Sequence, residues 1–325
     1  MKAMILAAGY GERLWPLTSD RTKPALPVLG KPLVGYVAEY LARYGIEDVI
    51  VNLHHQPESV RRALGDGGQF GVRLQYVHEP VILGTSGALD NARELLEDDT
   101  FAVVNGKLIT DLDLKAAVQT HRQQQALATM VLLPNPKRER FSIVETREGL
   151  VSNFAGMPGP SSLDAEPPLM FTGIHILEPR IFEYIPRGVF SDTITGVYLP
   201  AMAKGERIAA HVADGAWYEL STLRRYLDIS LALLRQRGED VYAGRNSSID
   251  KEAEVRDAVL WDDVTVEKGA HVRRAVLGDG VCISAGQLME DAVVVRAELV
   301  AGITPPPKAL RGHVSGANFV VSLSQ

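Results

Sequence analysis

The chain has one cysteine, Cys282, in 325 residues, which excludes an internal disulfide, and it has no Cys/His cluster of the kind that holds zinc. A reducing compartment is expected, with Cys282 as a small buried apolar residue. Long apolar runs are missing as well. No stretch approaches the roughly 20 residues of a membrane span. The apolar run Met4 to Ala8 is too short for a secretory leader and stops at once at Gly9. A cytoplasmic protein with no membrane partner is expected. An excess of basic residues is also absent: the formal net charge of −6 argues against nucleic acid as a partner. What is present, 46% apolar and 23% charged residues, is ordinary for a globular protein long enough for two domains.

The most informative stretch is at the amino end. Met4 to Ala8 reads as a buried strand, and Gly9 and Gly11 then let the backbone turn sharply and expose its N–H groups, an anion cradle. Arg13 and Lys23 are the cations wanted beside a polyphosphate, Arg for forked contacts and Lys as a point charge. Two better-known phosphate loops do not fit. Phe101, not glycine, lies five residues before Gly106-Lys107, and the loop after Gly11 runs Glu12-Arg13-Leu14 without the third glycine of a dinucleotide fingerprint.

From residue 1 to about 235, strand-like runs alternate with helical patterns. In order they are Met4 to Ala8, Pro32 to Tyr44, Asp48 to Leu53, Pro57 to Leu64, Arg73 to His78, Thr85 to Leu96, Phe101 to Asn105 and Leu112 to Gln123. Such alternation predicts an α/β domain, a Rossmann-like mixed and mostly parallel sheet covered on both faces. Ligands of these sheets bind outside the carboxyl ends of the strands, so the segments after Ala8, His78 and Asn105 are expected to converge. Thr129 to Leu133, Ser142 to Thr146 and Gly173 to Leu177 read as further strands, expected to form a flap over one side of that crevice.

The pattern changes after Leu234, and Arg235 to Arg245 reads as a linker. Ile249 with Val255, Val266 with Val272, and Ile283 with Met289 are pairs six residues apart, each following the last by seventeen. Aliphatics spaced by six with small and polar residues between them predict short hexapeptide β-helix coils; an irregular antiparallel sheet is the alternative. Three coils are close to the minimum for stability, so the α/β domain or a second subunit is expected to cover the end, and a homo-oligomer is the expected state. The expected division is 1–235, 246–300 for the β-helix, and a tail 301–325 that is extended or packs on a neighbour, since Pro305, Pro306 and Pro307 cannot continue the repeat.

LAAGYGERLWPLTSDRTKPALPV resembles the opening pattern of sugar-1-phosphate nucleotidylyltransferases, LAAGxGxRLxPLTxxxxKPxLPV, and the resemblance continues through EPVILGTSGAL, VVNGKLITDLDL, FTGIHIL and WYELSTLRRYL. A transferase domain followed by a left-handed β-helix resembles relatives of mannose-1-phosphate guanylyltransferase. The resemblance implies that an NTP and a sugar 1-phosphate, the two small-molecule partners, react to give an NDP-sugar and pyrophosphate. By it Arg13 and Lys23 would meet the triphosphate, and the backbone from Leu6 through Ala7, Ala8 and Gly9 to Gly11 would hold base and phosphates. Glu79 would face the base, where a carboxylate suits guanine, so GTP is the expected NTP. Gly84 and Thr85 would pass close to the nucleoside, with Thr85 capping a helix. The segments VVNGKLITDLDL and FTGIHIL would put Asn105, Gly106, Thr172 and Gly173 against the sugar phosphate.

The chain departs from the family where Mg²⁺ is held. Lys107 stands where the resemblance expects Asp, and Glu219 where it expects a second Asp; Met157 stands where a lysine often grips the sugar phosphate, and Ser142 where a glycine is usual. Either the Lys107 ammonium takes over part of the metal's charge, with Glu219 orienting it or binding one Mg²⁺, or catalysis is lost and the fold survives as a nucleotide-sugar sensor or partner subunit. Asp111 reads as a helix cap, with a metal role the lesser alternative. His54, His55 and His175 are expected to be structural or on the surface, because the reaction needs neither a strong acid nor a strong base.

Overall fold

The interior of Lys2–Leu6 and most of Asp48–Leu53 and Phe101–Asn105 are buried, the pattern of strands covered on both faces. They lie side by side in a computed structural model that describes residues 1–156 and 166–324. The described chain forms two compact units. The first comprises Met1–Ala8, Val34–Pro57 and Leu64–Trp217; the second comprises Gly9–Leu33, Glu58–Ala63 and the chain from Tyr218 onward.

The first unit is built on a nine-stranded sheet. Its strands are β1 Lys2–Leu6, β2 Asp48–Leu53, β3 Arg73–His78, β4 Phe101–Asn105, β5 Ala128–Pro134, β6 Val144–Arg147, β7 Leu150–Phe154, β8 Leu169–Leu177 and β9 Ile208–Val212. Their spatial order is β3-β2-β1-β4-β8-β5-β9-β7-β6. Only β7 and β8 run against the others, so the sheet is mixed and mostly parallel. Among the helices of the described chain are α1 Leu33–Arg43, α2 Pro57–Leu64, α3 Gly84–Asn91 and α4 Leu114–Gln124. Two expectations are corrected here. The segments around Thr129 and Ile174 are not a flap: β8 pairs with β4 on one side and β5 on the other, which makes them central strands. The cap of α4 is Asp113, whose carboxylate accepts the N–H groups of Lys115 and Ala116, while the Asp111 carboxylate accepts the N–H of Ala216.

In the second unit, α5 Leu223–Gln236 leads into a β-helix. One face stacks β10 Val241–Ala243, β12 Glu254–Leu260, β14 His271–Leu277 and β16 Leu288–Arg296, all parallel. A second face stacks β11 Ser248–Ile249, β13 Thr265–Val266 and β15 Cys282–Ile283. The register puts Ile249 beside Val266 beside Ile283, and Val255 beside Val272 beside Met289, so the seventeen-residue spacing is one turn of the coil. Asp257, Arg274 and Asp291 recur at that spacing with positive φ and mark one corner. Val266, Val272, Ile283 and Val294 are among the residues that fill the interior.

Three more expectations change. The segment read as a linker contains β10, the start of the first coil. The tail is not extended: β17 His313–Ser315 and β18 Asn318–Ser322 form a hairpin, and β18 runs antiparallel on β16, covering the last coil from within the same chain. Cys282 is exposed, because in its two-residue strand Ile283 takes the inward position and alternation turns the thiol out. No helix among the described residues is long and apolar enough to cross a membrane.

Candidate active site

The parallel register of the first unit lines up the ends of four strands. Leu6 sits between Asn52 and Asn105, and Leu53 sits beside His78. The chain leaving β1, β2 and β3 is held by a largely buried polar network. Ala7 N–H donates to Asn52 Oδ1 at 2.7 Å, and Asn52 Nδ2 donates to Glu79 Oε1 at 2.5 Å. Leu83 N–H donates to Glu79 Oε2 at 3.1 Å. The Glu79 carbonyl accepts from His54 Nδ1 at 2.8 Å, which fixes the proton on that nitrogen because a carbonyl can only accept. Glu79 is wholly buried and Asn52 is 2% exposed. Glu79 is therefore not an exposed loop acid: both of its oxygens are engaged by the protein. Asn52, which the sequence reading passed over as an ordinary strand residue, links the end of β1 to the acid after β3.

Asn105, Gly106 and Gly173 are brought together. Gly106 N–H donates to Leu6 O at 2.9 Å, on the β1 side. Gly173 has φ +84°, and a Cβ there would lie 2.2 Å from Asn105 Nδ2, so both backbone and space demand glycine. The pairing of β8 with β5 slips between Phe171 and His175, a bulge that re-aims this stretch. Thr172 is placed here too, but its hydroxyl donates to Val131 O at 2.7 Å and its carbonyl accepts Trp217 Nε1 at 2.9 Å. Lys107 follows directly, half-buried. Met157 lies outside the described residues.

The helix after Glu79 differs from expectation. α3 begins at Gly84 with Leu83 at the cap position, and Thr85 is inside it; its hydroxyl oxygen accepts from Thr193 N–H at 2.8 Å. The N–H groups of Ser86 and Gly87 donate to Ser191 O at 3.1 and 3.2 Å. A backbone carbonyl thus occupies donors that a helix start would offer to an anion.

His175 is buried, its Nδ1 2.5 Å from Tyr198 Oη, and burial pushes its pKa down to about 3. The ring is neutral and cannot serve as a proton donor near neutrality.

Further candidate residues belong to the second unit. Gly9 is exposed, and a Cβ on it would meet nothing within 4 Å. Gly11 has φ +69°, and a Cβ there would lie 3.0 Å from Lys23 Cβ, so this glycine lets the Lys23 segment come close. Leu14, Trp15, Leu17 and Leu26 anchor the segment in apolar surroundings. Tyr10, Gly11, Glu12, Arg13, Lys23, Ser221 and Lys308 surround a cavity of about 220 Å³. The far end of the segment is moored to the coils. The Arg21 guanidinium lies 5.0 Å from the Trp261 ring and donates to Asp279 at 2.6 Å. Tyr226 Oη donates to Pro27 O and accepts from Trp261 Nε1 at 2.9 Å.

Glu219, also in this unit, is 3% exposed. Its carboxylate lies 3.9 Å from Arg225 Nε, and its carbonyl accepts from that same nitrogen at 2.9 Å. No group of three or more His, Cys, Asp or Glu side chains that could hold a metal ion occurs among the described residues. Mg²⁺ wants near-octahedral oxygen ligation, and one buried carboxylate beside a guanidinium does not fit a resident metal site.

Residues 2–236 match the family described as Nucleotidyl transferase, and residues 240–299 the one described as GlmU-like, C-terminal hexapeptide. The chain is 33% identical over 241 residues to a UTP--glucose-1-phosphate uridylyltransferase of Synechocystis sp., covering 70% of this chain and 61% of the relative. It is 34% identical to an N-acetylmuramate alpha-1-phosphate uridylyltransferase of Neisseria meningitidis over 69% of this chain and 95% of the relative. It is 29% identical to a mannose-1-phosphate guanylyltransferase of Mycobacterium tuberculosis over 72% of this chain and 64% of the relative. Among solved structures, a putative glucose-1-phosphate thymidylyltransferase from Bacillus anthracis superposes with a TM-score of 0.63 at 25% identity, covering 72% of this chain and 95% of that one.

Proposed function

The chain belongs to the nucleotidyl transferase family, and from that premise we propose that it transfers a nucleoside monophosphate from an NTP to a sugar 1-phosphate with release of pyrophosphate. The observation that carries the proposal is the cavity bounded by Tyr10, Gly11, Arg13 and Lys23, a glycine turn and two cations of the sequence signature around one space. The reaction asks for positioning and charge neutralisation more than for covalent work. An oxygen of the sugar phosphate attacks the α-phosphorus as the bond to pyrophosphate breaks, and Arg13 and Lys23 neutralise the charge that builds on the leaving group. The backbone from Leu6 to Gly11, with Gly84 and Thr85, is assigned to the nucleotide, and Gly9 leaves room for a ligand to approach. Asn105, Gly106, Thr172 and Gly173 are assigned to the sugar phosphate, and Lys107 to the charge that the family supplies with an acid and a metal. Mg²⁺ enters as the counter-ion that the triphosphate brings, and no step is routed through a resident ion.

GTP with mannose 1-phosphate is the narrowest form of the proposal. It is supported by the likeness to a mannose-1-phosphate guanylyltransferase and by an acid at position 79. The burial of Glu79 against Asn52 and Leu83, and the higher identity to two uridylyltransferases, favour UTP as the second arm. The test is pyrophosphate release from purified protein with each NTP, Mg²⁺ and a panel of sugar 1-phosphates. Turnover with one pair supports the proposal and names the substrates. Saturable nucleotide binding with no turnover for any pair overturns it in favour of a sensor or partner subunit, the reading that Lys107 and the Glu219–Arg225 contact favour.

A further inference from the structure

The chain after the hexapeptide coils lies beyond the residues either family description matches, the second of which ends at residue 299. It leaves β16 through the short turn Ala297–Leu299, crosses an open loop and returns in the hairpin of β17 and β18. The hairpin is fixed in place: Phe319 packs edge-on against Trp15 at 5.3 Å, and Leu323 O accepts from Arg224. Inside the loop Ala309 N–H donates to Pro306 O at 3.0 Å, so Lys308 rides on a closed turn, with the proline run Pro305 to Pro307 restricting the backbone before it. This turn brings Lys308 to the wall of the cavity that holds Arg13 and Lys23, with its ammonium 3.9 Å from the Glu12 carboxylate.

Three cations from two distant segments of the chain therefore line one small cavity, with Glu12 as the acid on its wall. Lys308 is 72% exposed, and an exposed pair of this length contributes little, so the ammonium can exchange Glu12 for a better anion. Lysine suits that exchange, being a compact charge on a flexible stem.

Resting on the transferase reading, we propose that Lys308 is a third phosphate-binding residue: with NTP bound, its ammonium leaves Glu12 for the phosphates that depart as pyrophosphate. The loop before the hairpin then supplies part of the substrate site, while β18 covers the last coil.

The test is equilibrium binding by the full chain, with the NTP that turns over, the corresponding nucleoside monophosphate, and inorganic tripolyphosphate as probes. Lys308→Ala weakens NTP and tripolyphosphate by about tenfold and leaves the monophosphate within about twofold; Lys308→Arg restores most of the loss. Glu12→Gln tightens NTP, and does so by more while Lys308 is present than in Lys308→Ala, a coupling that a merely structural lysine would not give. Wild-type protein that binds no NTP overturns the transferase reading and this inference with it. NTP binding that is the same with and without the ammonium, in a variant whose melting temperature is unchanged, overturns the inference alone and leaves Lys308 a surface partner of Glu12.

Discussion

Asn52 and Glu79 meet at 2.5 Å in the interior of the first unit, and the same Asn52 side chain receives the N–H of Ala7. The amide works in both directions, accepting from the backbone that opens the signature and donating to the acid after β3. Asn52→Leu keeps the volume and leaves a buried N–H and a buried carboxylate oxygen without this partner. Each unsatisfied group costs about 1–3 kcal/mol, more where charged. The variant is expected to lose about 3 kcal/mol in urea unfolding, and to raise the KM for NTP because Ala7 is no longer tied down. Wild-type stability would contradict the network.

Gly173 and Gly205 make a matched pair, with φ of +84° and +86°, but only at Gly173 would a Cβ meet Asn105. Alanine at either position incurs about 1–2 kcal/mol for the left-handed backbone. At Gly173 it must also displace the Asn105 side chain. Gly173→Ala is expected to lower pyrophosphate release at least about tenfold, while Gly205→Ala leaves it unchanged at matched stability.

His175 gives a pH signature. Its folded pKa of about 3 is below its ordinary 6.5, so under acid conditions the unfolded chain takes up a proton that the folded chain refuses. Its contribution is complete above the ordinary value and is lost as pH falls toward the folded one, with a slope of about 1.4 kcal/mol per pH unit. Urea unfolding at pH 7, 6 and 5 should show the wild type losing stability faster than His175→Gln. Parallel losses would show that the ring is not held neutral.

Lys107→Asp replaces the unusual cation with the acid that the resemblance expects. If the ammonium supplies charge in place of a metal, turnover by the variant should depend on added Mg²⁺ more strongly than that of the wild type. An identical Mg²⁺ titration would remove that role from Lys107.

The β-helix was legible in the sequence because a stacked coil must repeat its interior: Ile249, Val266 and Ile283 cannot drift from their spacing without leaving the core. The strands β2, β3 and β4 were legible as short apolar runs between helical patterns, with bounds read as they stand in the fold. What was not legible depends on partners far along the chain. β8 inserts between β4 and β5 through pairings that local periodicity does not encode, and this made central strands look like a flap. Asp111 and Asp113 both precede the same apolar run, and only the extended backbone at Asp113, which aims its carboxylate at the N–H groups of Lys115 and Ala116, selects the second as cap. In the candidate site, the glycines and cations of the signature were visible as motif residues. Asn52, Tyr226, Trp261 and Lys308 were not, because their roles exist only through contacts dozens or hundreds of residues away.

Lys23→Ala tests the central claim most directly, that the signature cavity neutralises the triphosphate during transfer. With the NTP and sugar 1-phosphate that turn over best, the account predicts pyrophosphate release falling by about 10²-fold or more in a variant that melts with the wild type. Turnover by that variant at the wild-type rate would contradict it.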